Sequence, residues 1–257
     1  MNKHLSICFM CAFALLVVPL TLFAACFQGD TNGDGIADTV CENPSATRIE
    51  ITHGGSGTTT YYTQPTGSSF AINTLTDTDG QPGVEVVVVV LANGNGPDGV
   101  QVIHDRQASQ HLYGMPIGSS FAINTVQDTD GNAGAEIVVV LLANGNGPDG
   151  VQVIHDSQGS QHLYDMPIGS SFAINTVQDT DGIAGADIVV VLNNPYWIQV
   201  IHDRIASAFT YEIFSPYSIL AVRDYDGITG AEICYTKSSQ FFLITDRTHS
   251  TTTRSGC

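Results

Sequence analysis

Four short apolar runs, separated by polar turns, recur along this chain in blocks of about 50 residues. In the block that begins near Ser119, the runs are rich in β-branched and aromatic residues, and the turns are rich in Gly, Asp and Asn. The runs span residues 120–126, 135–142, 151–155 and 161–164. This pattern is typical of strands, and no segment shows the 3.6-residue period of an amphipathic helix. Each block therefore predicts a four-stranded antiparallel sheet.

The second run of each block indicates how the sheets pack. After Glu136 the residues are apolar as far as Leu142, without alternation. A strand with one solvated face would alternate, so this run is expected to be buried on both faces. Sheets stacked around an axis supply that environment in a β-propeller, whereas the coils of a β-helix are usually shorter than this repeat. We predict an all-β fold, a β-propeller of four-stranded blades.

Five copies of an acidic turn set the number of blades. The copies begin at Asp30, Asp77, Asp128, Asp179 and Asp224, with spacings of 47, 51, 51 and 45 residues. The first block lacks a full first strand, and the last leaves only residues 248–257 for a fourth. About 18 or 19 strands therefore fit five blades, with one blade assembled from both termini. A propeller completed by a second chain is the alternative.

Residues 1–25 have the features of an export signal. A short basic start at Lys3 and His4 precedes an apolar run that ends in the small residues Ala24 and Ala25. By length alone, a retained transmembrane anchor is the alternative. Residues 22–26 also resemble a bacterial lipobox, which would place a lipid on Cys26 and give the protein its one membrane contact. Residues 26–257 then form a single exported domain, at the cell surface, in the periplasm or outside the cell.

Four cysteines remain after this leader: Cys26, Cys41, Cys234 and Cys257. In an exported chain they suggest two disulfides. Cys41 and Cys234 lie in equivalent strands of the first and last blocks, and Cys26 and Cys257 lie near the two ends. Both pairs would join the start of the chain to its end. If Cys26 carries a lipid, one thiol is left over.

The charge balance excludes one class of partner. The formal net charge is −17, from 25 acidic residues against 8 Lys and Arg. Such a surface repels phosphate backbones, which argues against nucleic-acid binding, and it attracts cations.

The acidic turn and the apolar strand after it resemble FG-GAP and VCBS repeats, the blades of integrin-α-like propellers. The resemblance covers most of residues 30–246. It implies a calcium ion held by Asp or Asn at turn positions 1, 3 and 5, a backbone carbonyl at position 7 and a carboxylate at position 9. Oxygen ligands of this kind suit a hard cation. The resemblance leaves the ligand open, since such propellers bind proteins or glycans.

The first turn matches the whole calcium pattern, with Asp30, Asn32, Asp34, the carbonyl of Ile36, and Asp38. The other turns keep carboxylates at positions 1, 3 and 9. These residues are Asp77, Asp79, Glu85, Asp128, Asp130, Glu136, Asp179, Asp181, Asp187, Asp224, Asp226 and Glu232. Position 5 offers no charge there, and Ile fills it in two copies. The alternative interpretation is that these Asp side chains accept backbone N–H bonds and fix the turn.

Two further patterns are candidates for function. His104, His155 and His202 each precede an Asp at the end of a third strand. Acid–base pairs or metal ligands are one interpretation, but repetition in several blades favours a structural role. Tyr196 and Trp197 replace a Gly-rich turn on the rim opposite the acidic turns, and they are the candidate contacts for a sugar or protein. The alternative is that Trp197 packs between blades.

The chain shows no nucleophile elbow, phosphate loop, zinc-finger spacing or paired-Cys redox motif. We therefore expect a calcium-stabilised, non-catalytic binding module for protein or glycan. A secreted polysaccharide hydrolase or lyase is the first alternative, because propeller active sites gather residues from several blades. A purely structural assembly component is the second.

Overall fold

The computed structural model of this protein describes residues 25–94, 96–145 and 147–257. Within these residues, twenty strands form five four-stranded antiparallel sheets, each made of consecutive strands. Blade 1 holds β1 (Cys26–Gly29), β2 (Asp38–Asn43), β3 (Arg48–Thr52) and β4 (Thr59–Thr63). Blade 2 holds β5 (Ser69–Thr76), β6 (Glu85–Leu91), β7 (Gly99–His104) and β8 (Ser109–Gly114). Blade 3 holds β9 (Ser120–Gln127), β10 (Glu136–Leu142), β11 (Gly150–His155) and β12 (Ser160–Asp165).

Blade 4 holds β13 (Phe172–Gln178), β14 (Asp187–Asn193), β15 (Tyr196–His202) and β16 (Ser207–Glu212). Blade 5 holds β17 (Ser218–Arg223), β18 (Glu232–Lys237), β19 (Gln240–Thr245) and β20 (Ser250–Arg254). The predicted fold class, an all-β propeller of five four-stranded blades, is confirmed. The strands of blade 3 match the sequence prediction to within a residue or two.

Apolar clusters lie between successive blades, as the unbroken apolar runs predicted. In β6, Val86 and Val88 pack toward blade 1, whereas Val87 packs toward blade 3. The same division recurs in β10 and β14. Successive side chains of a strand point to opposite faces, so a strand between two neighbours needs apolar residues at every position.

The prediction of one blade built from both termini is wrong. β1 pairs with β2 from Cys26 to Gly29, and β20 pairs with β19, so each terminal blade is completed by its own end of the chain. The sequence signal failed because β1 has four residues and runs directly into the acidic turn, which leaves no room for visible alternation.

The predicted disulfide pairing is wrong for the same reason. Cys26 is bonded to Cys41 and Cys234 to Cys257, so each bridge lies within one terminal blade. Cys26 and Cys41 are direct cross-strand partners. This bond uses the sulfur that lipidation would need, and the lipid on Cys26 stays a prediction. Apart from Ala25, the predicted leader lies outside the described residues.

Turns gather on two rims. In an up-and-down sheet the first and third turns lie at the same edge, so in blades 2 to 5 the acidic turn neighbours the 3-10 turn between the third and fourth strands. We call this edge the acidic rim and the other edge the opposite rim. Among the described residues, no helix is long and apolar enough to cross a membrane.

Blade 1 has one face that points away from blade 2, and blade 5 has one face that points away from blade 4; we call these the end faces. Val40 packs toward blade 2, so its neighbour Cys41 points to the end face of blade 1. That face is polar and carries Thr39, Cys41, Asn43, Arg48, Glu50 and Thr52. Ile233 and Tyr235 pack toward blade 4, so Cys234 points to the end face of blade 5. Each end face therefore carries one disulfide.

Candidate functional site

The acidic turns are built from side-chain to backbone hydrogen bonds that repeat from blade to blade. In blade 3, the carboxylate of Asp128 accepts the N–H of Gly131 at 2.6 Å, and that of Asp130 accepts the N–H of Asn132 at 2.8 Å. The position-9 carboxylate of Glu136 accepts the N–H of Thr129 at 2.7 Å. Equivalent bonds form in the other four turns. Asx-type bonding thus fixes all five turns.

The first turn, which matches the calcium pattern, uses its oxygens in the same way. The carboxylate of Asp30 accepts the N–H groups of Gly33 and Gly35, each at 2.8 Å. Asn32 and Asp34 accept backbone N–H bonds two residues on. Asp38 is fully buried, and it accepts bonds from Thr31 and from the N–H of Gly54. A calcium ion would share these oxygens with the N–H donors, and its presence stays a prediction.

The turns also join successive blades. The N–H of Ala186, at position 8 of the blade 4 turn, donates to the carbonyl of Asp128 at 3.0 Å, and the same bond forms at three other interfaces. Gly131 has a φ of +79°, and a Cβ there would lie 2.6 Å from the carbonyl oxygen of Ala184. This glycine is required both by its left-handed conformation and by the close approach of the next turn.

A buried aspartate completes each of these interfaces. Asp156, which begins the 3-10 turn Asp156–Gln158 of blade 3, accepts hydrogen bonds from the Thr78 and Tyr113 hydroxyls of blade 2 at 2.6 and 2.8 Å. Nε2 of His104, also in blade 2, lies 3.3 Å from the same carboxylate. We call this arrangement of Thr, Tyr and Asp the interblade latch. The other latches are Thr31, Tyr62 and Asp105; Thr129, Tyr164 and Asp203; and Thr180, Tyr211 and Asp246.

Blade 5 and blade 1 carry none of the residues that would make a fifth latch. Tyr225 takes the place of the Thr, Arg254 that of the Tyr, and Gly54 that of the Asp. Within the part of the chain that the structure describes, no latch, backbone bond or apolar cluster of the repeated kind joins these two blades. Four interfaces are latched, and the end faces are not.

Carboxylates and a histidine converge beside each latch on the acidic rim. In blade 3, Nδ1 of His155 lies 3.8 Å from Asp130 Oδ2 and 3.9 Å from Glu136 Oε1. His155 is 9% exposed, and its Nδ1 has no hydrogen-bond partner among the described residues. We call these three residues the blade 3 cluster. The equivalent sets are Asp79, Glu85 and His104 in blade 2 and Asp181, Asp187 and His202 in blade 4.

Burial and hydrogen bonding shift the proton affinities in these clusters. Burial raises the pKa of Glu85 to about 7 and also raises the pKa of Glu136. The contact with Asp203 raises the pKa of His155, and the contact with Asp156 does so for the pKa of His104. Each cluster therefore favours added positive charge, which a proton or another cation can supply.

Blade 5 supplies that positive charge from its own chain. Thr245 stands where the other blades have His, and the guanidinium of Arg247 donates to Glu232 at 2.6 Å and also to Asp226. Blade 3 has Ser157 at the position of Arg247, and among the described residues no arginine forms an ion pair with Asp130 or Glu136. In blade 4, Arg204 lies 3.7 Å from Asp181, and Nδ1 of His202 bonds Asp187 directly at 2.9 Å.

On the opposite rim, Trp197 lines a cleft of about 400 Å³ between blades 3 and 4, which we call the tryptophan cleft. Its other polar walls are Asp165, Gln199 and Thr210, and the fully exposed Ile168 stands at its edge. Trp197 is half-buried and also packs on the apolar cluster between these blades, so both interpretations of this residue describe part of its environment. Tyr196 points the other way, toward the cluster between blades 4 and 5.

Trp197 has no counterpart in blades 2 and 3. The register places Gly99 and Gly150 at its position. A Cβ on Gly150 would lie 2.5 Å from the carbonyl oxygen of Tyr164, so those blades exclude any side chain there. The tryptophan cleft is therefore specific to blade 4.

Sequence reasoning missed two members of each latch. The Thr at position 2 of the turn and the Tyr of the fourth strand were not singled out, although both recur at the same spacing as the Asp that they bind. The latch could have been recognised from the sequence because its Thr, its Tyr and its Asp recur with the same period of about 50 residues. A structural role was favoured for the His–Asp pairs, and in each pair the Asp is a latch residue.

Comparison of the sequence with models of protein families gave no match, and comparison with curated proteins gave none. Among solved structures, the chain is similar to a lectin from Agrocybe aegerita that specifically recognises non-reducing terminal N-acetylglucosamine, with a TM-score of 0.45 and 12% sequence identity. The similarity covers 90% of this chain and 65% of that one, so this chain spans about two thirds of the lectin's length. A likeness at this level carries no argument about the ligand.

Proposed function

We propose that this protein is a non-catalytic glycan-binding propeller whose sugar site is the tryptophan cleft. The observation that carries the proposal is the presence of one Trp side chain, open to solvent, in a cleft that also presents a carboxylate, an amide and a hydroxyl. A volume of about 400 Å³ lies in the range of small-molecule sites.

The chemistry of the cleft suits a carbohydrate. Sugars present C–H groups on the faces of the ring and hydroxyl groups around its edge. The indole of Trp197 offers a flat apolar surface for the former. Asp165 accepts hydrogen bonds, whereas Gln199 and Thr210 can both donate and accept. Stacking and hydrogen bonding are sufficient to bind a sugar, and they require no nucleophile or general acid. The groups named here therefore suit recognition of a sugar.

The proposal includes export and a repeat of the FG-GAP or VCBS class, as the leader and the acidic turns predicted. It also includes a calcium ion in the first turn, held by Asp30, Asn32, Asp34, the Ile36 carbonyl and Asp38. An ion that binds only the folded protein raises the melting temperature. Melting in calcium and in chelator, repeated for Asp34→Ala, tests this part alone. An unchanged melting temperature would remove calcium from the proposal.

The glycan proposal is tested by titrating the mature protein with a panel of mono- and oligosaccharides. We expect saturable binding that Trp197→Ala weakens at least ten-fold and that Asp165→Asn weakens less. Tyr61→Ala, which removes an exposed aromatic side chain from blade 1, is the matched control. If Trp197→Ala unfolds the protein, weaker sugar binding by Asp165→Asn supports the proposal, and unchanged binding contradicts it.

Other outcomes would replace the proposal. Turnover of a polysaccharide would favour the hydrolase or lyase alternative. Equal binding by the Trp197→Ala variant and the wild type would place the sugar elsewhere. Binding of no sugar on the panel would leave the protein-binding and structural alternatives.

A further inference from the structure

We propose that the blade 3 cluster is a binding site for a divalent first-row transition-metal ion such as Zn²⁺. Asp130, Glu136 and His155 would each supply one ligand atom. By equivalence, Asp79, Glu85 and His104 form a second such site in blade 2. This inference does not depend on glycan binding, and it concerns a different ion and a different ligand set from the calcium predicted in the first turn.

Nδ1 of His155 has no hydrogen-bond partner among the described residues. It is buried, and it faces two carboxylate oxygens at 3.8 and 3.9 Å. These separations are too long for hydrogen bonds. They fit two atoms bound to one ion, since metal–ligand bonds of about 2.1 Å allow ligand atoms to lie up to about 4.2 Å apart. An ion between them would satisfy a buried polar atom that is otherwise left without a partner.

The groups around the cluster orient the three ligands. Nε2 of His155 lies 3.3 Å from Asp203, a buried carboxylate that also accepts bonds from Thr129 and Tyr164. A proton shared there leaves the Nδ1 lone pair free, as in the carboxylate–histidine–metal arrangements of known sites. Thr129 also holds Oε2 of Glu136 through its N–H and hydroxyl, which leaves Oε1 facing the histidine.

Blade 5 shows what the two carboxylates require. Where the histidine is replaced by Thr245, Arg247 places a guanidinium against both carboxylates. The chain thus provides a fixed cation in the blade that lacks the histidine. In blade 3, which has the histidine, Ser157 replaces that arginine; in blade 2, Arg106 occupies the position but forms no ion pair with Asp79 or Glu85 among the described residues. Two carboxylates and a neutral imidazole match the charge and the nitrogen preference of Zn²⁺ better than those of Ca²⁺.

The cluster is open to solvent on one side. A pocket of about 550 Å³ on the acidic rim is lined by Asp130, His155 and Asp203, and also by Arg204 of blade 4, so an ion can enter and a water molecule can complete its coordination. The amides of Asn132 and Gln158 donate to Oδ2 of Asp130 at 2.8 and 3.3 Å. Both side chains are exposed and can rotate away when the ion binds.

The test is zinc binding by the full mature chain without sugar, measured by isothermal titration and by elemental analysis after dialysis. We expect two equivalents in the wild type, one in His155→Gln and none in the double variant His104→Gln with His155→Gln. His111→Gln, which changes an exposed histidine on β8, should keep both equivalents. Excess calcium should not displace the zinc.

A second variant keeps the test decisive if His155→Gln does not fold. Asp130→Asn retains the acceptor for the Asn132 N–H and should weaken zinc binding at the blade 3 cluster at least ten-fold. The proposal is overturned if the wild type binds no zinc, if His155→Gln binds as much as the wild type, or if His111→Gln loses as much as His155→Gln. Displacement of zinc by equimolar calcium would overturn the assignment to a transition metal.

Discussion

The interface between blades 2 and 3 and the end face of blade 1 belong to similar four-stranded sheets, but different interactions stabilise them. At the interface, Val87, Val100 and Val102 pack against blade 3, and Asp156 accepts bonds from Thr78 and Tyr113. At the end face, the strands carry polar residues and a disulfide.

The interactions that stabilise a face of a blade therefore depend on whether another blade packs against that face. A covered face can bury a charge, because the neighbouring blade supplies three donors for it. The end face of blade 1 instead carries the partly exposed ion pair of Arg48 and Glu50, with side chains 35% and 26% exposed. Each end face carries a disulfide, which stabilises the fold by limiting the freedom of the unfolded chain.

The strongest test of this comparison removes a latch. Asp156→Ala leaves the hydroxyls of Thr78 and Tyr113 buried without their acceptor. We expect the free energy of unfolding to fall by about 3 to 5 kcal/mol, as is usual when one partner of a buried charged pair is lost. Urea denaturation measures this change. The control Glu50→Ala, on the end face, should cost less than about 1 kcal/mol. Equal losses in the two variants would refute the comparison.

The next largest effect is expected from the bridge on the end face of blade 1. Cys26 and Cys41 are 15 residues apart, and replacing both with Ser removes a loop constraint worth about 3 kcal/mol in the chain-entropy account. Thermal melting under non-reducing conditions gives the measurement. The prediction fails if the double variant and the wild type have the same melting temperature, which would mean that the end face is stable without its covalent bond.

The latches are expected to lose part of their stabilising effect in acid. Burial alone would raise the pKa of Asp156, but hydrogen bonds from His104 and Thr78 hold this pKa below its usual value, and Asp203 behaves in the same way. A carboxylate with a lowered pKa stabilises the fold above its unfolded pKa of about 3.9, and this contribution is lost as the pH falls through the folded value. For each latch the loss is smaller than deletion, because a protonated carboxyl still accepts hydrogen bonds.

The measurement is the difference in unfolding free energy between the wild type and Asp156→Ala, followed from pH 6 to pH 2. We expect this difference to shrink as the pH falls. A difference that stays constant would show that the charge of Asp156 adds nothing to the latch.

The repeated parts of the molecule were predictable from sequence, and the terminal parts were not. The strands of blade 3 and the two-sided burial of β10 follow from side-chain periodicity, which repetition makes visible. The pairing of Cys26 with Cys41 depends on β1, a strand of four residues with no repeated partner to reveal it. Likewise, the sequence placed Trp197 in a turn on the opposite rim, whereas the structure places it on β15, and the cleft beside it depends on Asp165 of another blade.

The latch also has a direction. Every blade from the first to the fourth offers Thr and Tyr to its successor, and every blade from the second to the fifth offers Asp to its predecessor. The blades are therefore joined head to tail. Blade 1 supplies only the Thr and Tyr of a latch, and blade 5 supplies only the Asp. An internal unit can be duplicated or deleted without changing the rule by which its neighbours meet. Blade number in such a protein can evolve one whole unit at a time, provided that the two terminal units are kept.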